Sequence, residues 1–208
     1  MYNGPDTQYV GHEICFCFNG DFIAIVDVTD KSNIIRISKT EYTNHEFTHQ
    51  GWLSSDMTHI VWGDEMDEKN NYDKTRTLIL DITNLSDPTN FQQYFGTTAA
   101  IDHNQYIANA QGQGYGPAYA NSDLIYQSNY RAGLRILQVI NIDTDYDNAT
   151  NIHEVGYFDT FPNSDSNAFN GAWSVYPYFD SGLVAISSIA EGLFVGKLKQ
   201  RNHYSELR

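Results

Sequence analysis

Cysteine is nearly absent from this chain: Cys15 and Cys17, in "EICFCF", are two among 208 residues. Two positions apart on a strand, they share one face, where a direct disulfide between them is strained. A pair of buried free thiols is the expectation, since no further cysteine completes a soft-metal site. Positive charge is scarce as well. Lys and Arg number 12 against 26 Asp and Glu, and the net charge of −14 repels nucleic acid and anionic membrane. No run of 18 apolar residues exists, so no helical membrane span is expected. The opening "MYNGPDTQYVGHE" lacks the basic and apolar parts of a secretion signal. Helical periodicity with caps is missing throughout. Two reaction classes lose their signatures too: no G-x-S-x-G elbow occurs, and "GQGYG" is not followed by Lys-Ser/Thr as a phosphate loop requires.

What remains is strand-forming. Short β-branched and aromatic runs alternate with Gly, Asn, Asp and Ser clusters, which is the pattern of strands and turns. They fall into four successive groups: "EICFCF" to "IIRIS"; "GWL", "HIVWGD", "RTLILDI" and "FQQYFG"; "NQYIA", "DLIYQS", "GLRILQVI" and "HEVGYF"; and "AWSVYP", "LVAISS" and "GLFVGKL". Asp27 and Asp81 occupy matching places 54 residues apart, and Gln138 and Gly196 continue the series at 57 and 58. Four strands per repeat is the propeller signature, here at a period longer than the usual ~40–50 residues. The expectation is an all-β propeller of about three and a half to four four-stranded blades. Their approximate extents are 1–45, 46–98, 99–160 and 161–200, with a tail at 201–208. The first group lacks an innermost strand and the last lacks a fourth. Closed rings need at least four blades, so the chain is expected to be the C-terminal portion of a longer propeller, or to take its missing blades from another chain.

Each of the last three groups opens on a shared spacing. "THQGW" at 48–52, "DHNQY" at 102–106 and "FNGAW" at 169–173 place His or Asn three residues before an aromatic. On innermost strands these side chains line the central channel, His or Asn bonding across it and the aromatic packing between blades. The set is His49, Trp52, His103, Tyr106, Asn170 and Trp173, with Arg131 alongside to pair with a carboxylate such as Asp102. Two histidines and a carboxylate also suit zinc or a non-haem metal. Asp102 and His103, adjacent on a strand, point to opposite faces and form no local dyad.

Two acidic segments invite metal. In "DTDYDNATNIHE", Asp143, Asp145, Asp147, Asn151 and Glu154 stand at positions one, three, five, nine and twelve of a calcium-type loop. Strand-like flanks exclude an EF-hand, and a solvated acidic turn is the competing reading. In "GDEMDE", strand alternation puts Glu65 and Asp67 on one face and Asp64 and Glu68 on the other, as in a solvated loop. Sequons stand at Asn84 and Asn148. Gly112, Gly114, Tyr115 and Gly116 suit a surface loop that contacts a partner.

The stretches "YTNHEFTHQGWLSSD", "GDEMDE", "TRTLILDI", "TAAIDHNQYI", "IYQSNYRAGLRIL" and "FDTFPNSDSNAFNGAWSVYPYFDSG" together resemble the LVIVD-repeat, choice-of-anchor B family. The resemblance covers residues 2–198. It implies a β-propeller in secreted or surface-anchored proteins, with further blades upstream and no established enzymatic activity. The functional expectation is therefore a non-enzymatic extracellular or cell-surface module that binds a protein or glycan, with calcium as its one candidate cofactor. A metal-dependent hydrolase or lyase using the channel histidines is the alternative.

Overall fold

The computed structural model describes residues 1–109, 122–139 and 152–198. The chain is all-β and propeller-like, built as four antiparallel sheets that follow one another in sequence. The first holds β1 (Ile14–Phe18), β2 (Ile23–Asp27) and β3 (Ile35–Thr40). The second runs β4 (Thr48–Leu53), β5 (His59–Asp64), β6 (Arg76–Asp81) and β7 (Thr89–Phe95), with a one-turn helix α1 (Asp67–Asn70) between β5 and β6. The third is β8 (Asn104–Asn109), β9 (Asp123–Ser128), β10 (Leu134–Val139) and β11 (Ile152–Phe158). The last is β12 (Ala172–Tyr176), β13 (Leu183–Ser188) and β14 (Gly192–Lys197). Every sheet pairs its strands in chain order, as short connections favour. Among the described residues no helix is long and apolar enough to cross a membrane.

Three apolar cores separate the four sheets. Ile23 and Ile25 meet Ile60, Trp62, Leu78 and Leu80 between the first and second. Val61 and Ile79 meet Ile107, Ile125 and Leu137 between the second and third. Leu124, Tyr126, Leu134 and Ile136 meet Ala172, Val175, Val184 and Ile186 between the third and fourth. The middle sheets are thus covered on both faces, which explains their unbroken apolar runs: β5 is buried at all six positions and β6 at five. The fourth sheet instead alternates. Val184 and Ile186 face the core, while Leu193 and Val195 on the other face are 70% and 61% exposed.

Each neighbouring pair of sheets is also joined by a polar link beside the start of an inner strand. Gly20, in the β1–β2 turn, exchanges two backbone hydrogen bonds with Thr48 at the head of β4. Tyr130, in the β9–β10 turn, accepts from the amide of Ala172 at the head of β12. The matching turn in the second sheet is the longer 65–75 segment, and there a side chain makes the link. The Glu68 Oε1 atom accepts from the amides of Asp102, at 3.3 Å, and Arg76, at 3.2 Å. By this correspondence β1 and β2 occupy second and third places in their sheet, with no strand inside β1 among the described residues. Gly171, next to the Tyr130 link, has φ +80, and a Cβ there would lie 2.4 Å from the Tyr130 carbonyl oxygen, so the approach requires glycine.

Strand β1 corrects one expectation. Its cysteines are not buried: Cys15 is exposed and Cys17 half-buried, both are free, and their sulfurs lie 3.4 Å apart. They share a face as the two-residue period requires, but β1 is an edge strand and its side chains are only partly covered.

Candidate functional site

The acidic segment "GDEMDE" does not continue as a strand. β5 ends at Asp64, Met66 takes a backbone of φ −117 and ψ −5, and the chain turns into α1. The expected solvated loop is therefore overturned: Asp64, Asp67 and Glu68 are 0%, 0% and 2% exposed. Asp64 accepts from the amides of Glu46 and Phe47 and from the Tyr42 hydroxyl, at 2.7–2.9 Å, and pins the strand entry. Asp67 pairs with Arg76 Nε at 2.5 Å, whose guanidinium also reaches the Tyr72 hydroxyl and the Asn44 carbonyl. Asp102 completes this cluster, its carboxylate lying over Gly63 so closely that a Cβ there would come 2.1 Å from Oδ2. Burial, then the charge of Asp67, drives the Asp102 carboxyl well above its ordinary range. Burial, then the charge of Asp102, pushes Glu68 up to about 12, and burial raises Asp67 to about 6 against the pull of Arg76. With one cation among several acids, the cluster keeps protons that exposed carboxyls would release.

Glu65 leaves the same turn on the opposite side and meets the histidines. Its carboxylate oxygens lie 3.8 Å from His49 Nε2 and 3.6 Å from His103 Nε2. The imidazole rings stack with centroids 4.5 Å apart and planes at 21°. His103 is enclosed by the Trp173 ring at 4.5 Å and the Tyr130 ring at 4.6 Å. Tyr130 donates its hydroxyl to Glu65 Oε1 at 2.6 Å. His103 Nδ1 stands 2.7 Å from the Trp173 carbonyl oxygen, and His49 Nδ1 stands 3.3 Å from the His103 carbonyl oxygen. Burial lowers the His103 pKa, with His49 adding to the effect and the Trp173 carbonyl and Glu65 opposing it. Burial and the Glu65 charge raise that of Tyr130.

Of the channel set, His49, His103 and Trp173 converge here, while Trp52 and Tyr106 meet further along the inner strands at 5.1 Å. Trp52 and Trp173 do not pack fully between sheets; they remain 40% and 49% exposed. Asn170 turns inward on its own loop and accepts from the Gly171 amide at 2.8 Å. Arg131 does not reach Asp102. It donates to the Ser166 hydroxyl at 2.7 Å and covers the Phe161 ring. Glu65 and Tyr130 are the members that sequence reasoning missed. From Trp52 a string of rings runs through Tyr106 and Tyr178 to Tyr176 and Phe179, crossing β4, β8 and the end of β12. Trp52, Tyr176 and Phe179 in it are exposed.

The calcium-type positions Asp143, Asp145, Asp147 and Asn151 lie outside the described residues, as do Asn148 and the 112–116 glycines. Glu154, the closing position, lies in β11, where Arg135 Nη1 approaches it at 3.4 Å. Asn84 is exposed in the β6–β7 turn, its amide oxygen accepting from Ser86.

No family model matches the chain, and no curated protein matches it. Among solved structures, the crystal structure of the Pseudomonas aeruginosa PilY1 C-terminal domain is similar over 91% of this chain, with a TM-score of 0.50 and 15% identity. This chain spans 46% of that one. At that identity the likeness concerns the fold alone.

Proposed function

We propose that this chain is part of a larger β-propeller acting as a surface-associated or extracellular binding module, whose ligand docks on the aromatic string of the inner strands. The observation that carries the reading is the Trp52–Tyr106–Tyr178–Tyr176–Phe179 series, because linked and partly exposed rings of this kind mark recognition surfaces. Flat rings with hydroxyls beside them suit the C–H faces and hydroxyls of uncharged sugars. The net charge of −14 turns away polyanions. A neutral glycan is therefore the favoured ligand. The uncovered apolar face of the fourth sheet, with Leu193 and Val195, supports a further blade beyond it, from this protein or another chain. The family resemblance supports the location, and the exposure of the Asn84 sequon agrees with a glycan there as part of the same proposal. Calcium at Asp143, Asp145, Asp147, Asn151 and Glu154 belongs to the same proposal as a stabilising ion.

A glycan array followed by titration calorimetry tests this reading. Binding of neutral oligosaccharides that disappears in the Trp52→Ala, Tyr176→Ala double variant supports it. Absence of binding across the array, or binding indifferent to both substitutions, rejects it. A protein ligand dependent on the same rings transfers the reading from glycan to protein. The metal-dependent hydrolase or lyase ranks second. Its support is the His49–Glu65–His103 convergence, and no nucleophile or substrate position follows from that convergence.

A further inference from the structure

Three side chains from separate segments meet where the inner strands of the second and third sheets begin: His49 from β4, Glu65 from the β5–α1 turn and His103 ahead of β8. We propose that they bind one divalent transition ion of the zinc class. The donor atoms of the three residues lie within 4.8 Å of one another. The two Nε2 atoms address different oxygens of Glu65, at 3.8 and 3.6 Å. Ligands placed 2.0–2.1 Å from a tetrahedral ion stand about 3.4 Å apart, so each histidine–carboxylate distance needs to contract by only a few tenths of an ångström, the rest of the closure coming from rotation of a ring.

The hydrogen bonds behind the rings decide which nitrogens face the carboxylate as lone pairs. A carbonyl oxygen only accepts, so His103 Nδ1, 2.7 Å from the Trp173 oxygen, carries the proton. Asn104 Nδ2 donates to the same oxygen at 2.8 Å, and its nearness to His103 Nδ1 follows from that shared acceptor. His49 Nδ1 likewise faces the His103 carbonyl oxygen at 3.3 Å. In the neutral rings both Nε2 atoms therefore direct lone pairs towards a carboxylate, an arrangement that a bound cation turns from repulsive to attractive. Anchoring Nδ1 on a backbone carbonyl is how proteins present Nε2 to metals, and the Tyr130 hydroxyl on Glu65 supplies the matching outer hydrogen bond.

The donor set also selects the ion. Two imidazoles and one carboxylate suit zinc and its neighbours, whereas calcium wants six to eight oxygens. Side-chain exposure rises from 3% at His103 through 15% at Glu65 to 23% at His49, so the centre opens towards His49 and leaves a coordination position for a water or small ligand. The stacked rings cannot both point at one ion as they stand. His49, more exposed and held by the longer bond, is the ring that turns to complete the site.

Calorimetric titration of zinc chloride into the metal-stripped chain tests this. Cys15→Ser and Cys17→Ser are included so that the exposed thiols do not compete. The expected result is one zinc per chain, loss of at least about 30-fold in affinity with Glu65→Gln, and about 10-fold with Tyr130→Phe. Cobalt substitution should give tetrahedral d–d absorption that His103→Gln abolishes. Glu65→Gln is isosteric, and it decides the matter alone if His103→Gln fails to fold. Absence of stoichiometric zinc, zinc affinity unchanged by Glu65→Gln, or equal affinity for calcium overturns the proposal. Glycan binding at the aromatic string is read separately, so either result stands without the other.

Discussion

Asp102 and His103 are adjacent in the chain, yet they serve two clusters of opposite character. Asp102 joins Asp67, Glu68 and Arg76 in a closed acidic joint with no more than 2% exposure at any member. His103 joins His49 and Glu65 in a centre that opens to solvent on one side. Both draw an acid from the same turn, where the break after Asp64 sends Glu65 one way and Asp67 and Glu68 the other. In the closed cluster Asp67 is tied to Arg76 and Glu68 to the amides of Arg76 and Asp102, and these bonds hold two sheets together. In the open one the nitrogens facing the carboxylate have no proton donor between them. Burial separates structural acid from available ligand, although the residue types are nearly the same.

The contrast is broken most severely by removing the cation from the closed cluster. Arg76→Met leaves Asp67 buried beside Asp102 without compensation, and urea unfolding should show a loss of about 3–5 kcal/mol. Gly63→Ala should cost about 2 kcal/mol in the same measurement, since its Cβ collides with the fixed Asp102 carboxylate. A subtler probe is pH. The folded-state pKa of Glu68 lies above its ordinary 4.5, at about 12, so the native state holds a proton that the unfolded chain releases. The contribution of Glu68 is full below about pH 4.5 and falls as pH rises through that interval. Glu68→Gln, which needs no proton, should therefore narrow the melting-temperature gap between pH 5 and pH 8. Trp52→Ala should cost about 1 kcal/mol in thermal melts, from the loss of its ring contacts with Tyr106 and Tyr178, while weakening ligand binding.

Much of the fold was legible because burial writes itself into strand patterns. "HIVWGD" and "RTLILDI" are unbroken because cores lie on both faces, and "LVAISS" alternates because one face is open. The [HN]-x-x-aromatic spacing located the inner strands and brought His49 and His103 together. Glu65 was missed because strand alternation was carried past Asp64, where the backbone leaves the sheet. Tyr130 was missed for a related reason: it holds φ 39 in the turn "SNYRAG", a conformation that tyrosine does not advertise. Arg131 was assigned to Asp102 on charge alone, and Ser164 and Ser166 lie nearer.

The zinc centre depends on where two protons sit. Long-range proton–nitrogen NMR correlation of the metal-free chain at pH 7.5 reads this directly for His49 and His103. The neutral form of both rings should carry its hydrogen on Nδ1. Hydrogen on Nε2 of either ring would mean that Glu65 is already satisfied by that histidine and that the centre does not present both lone pairs.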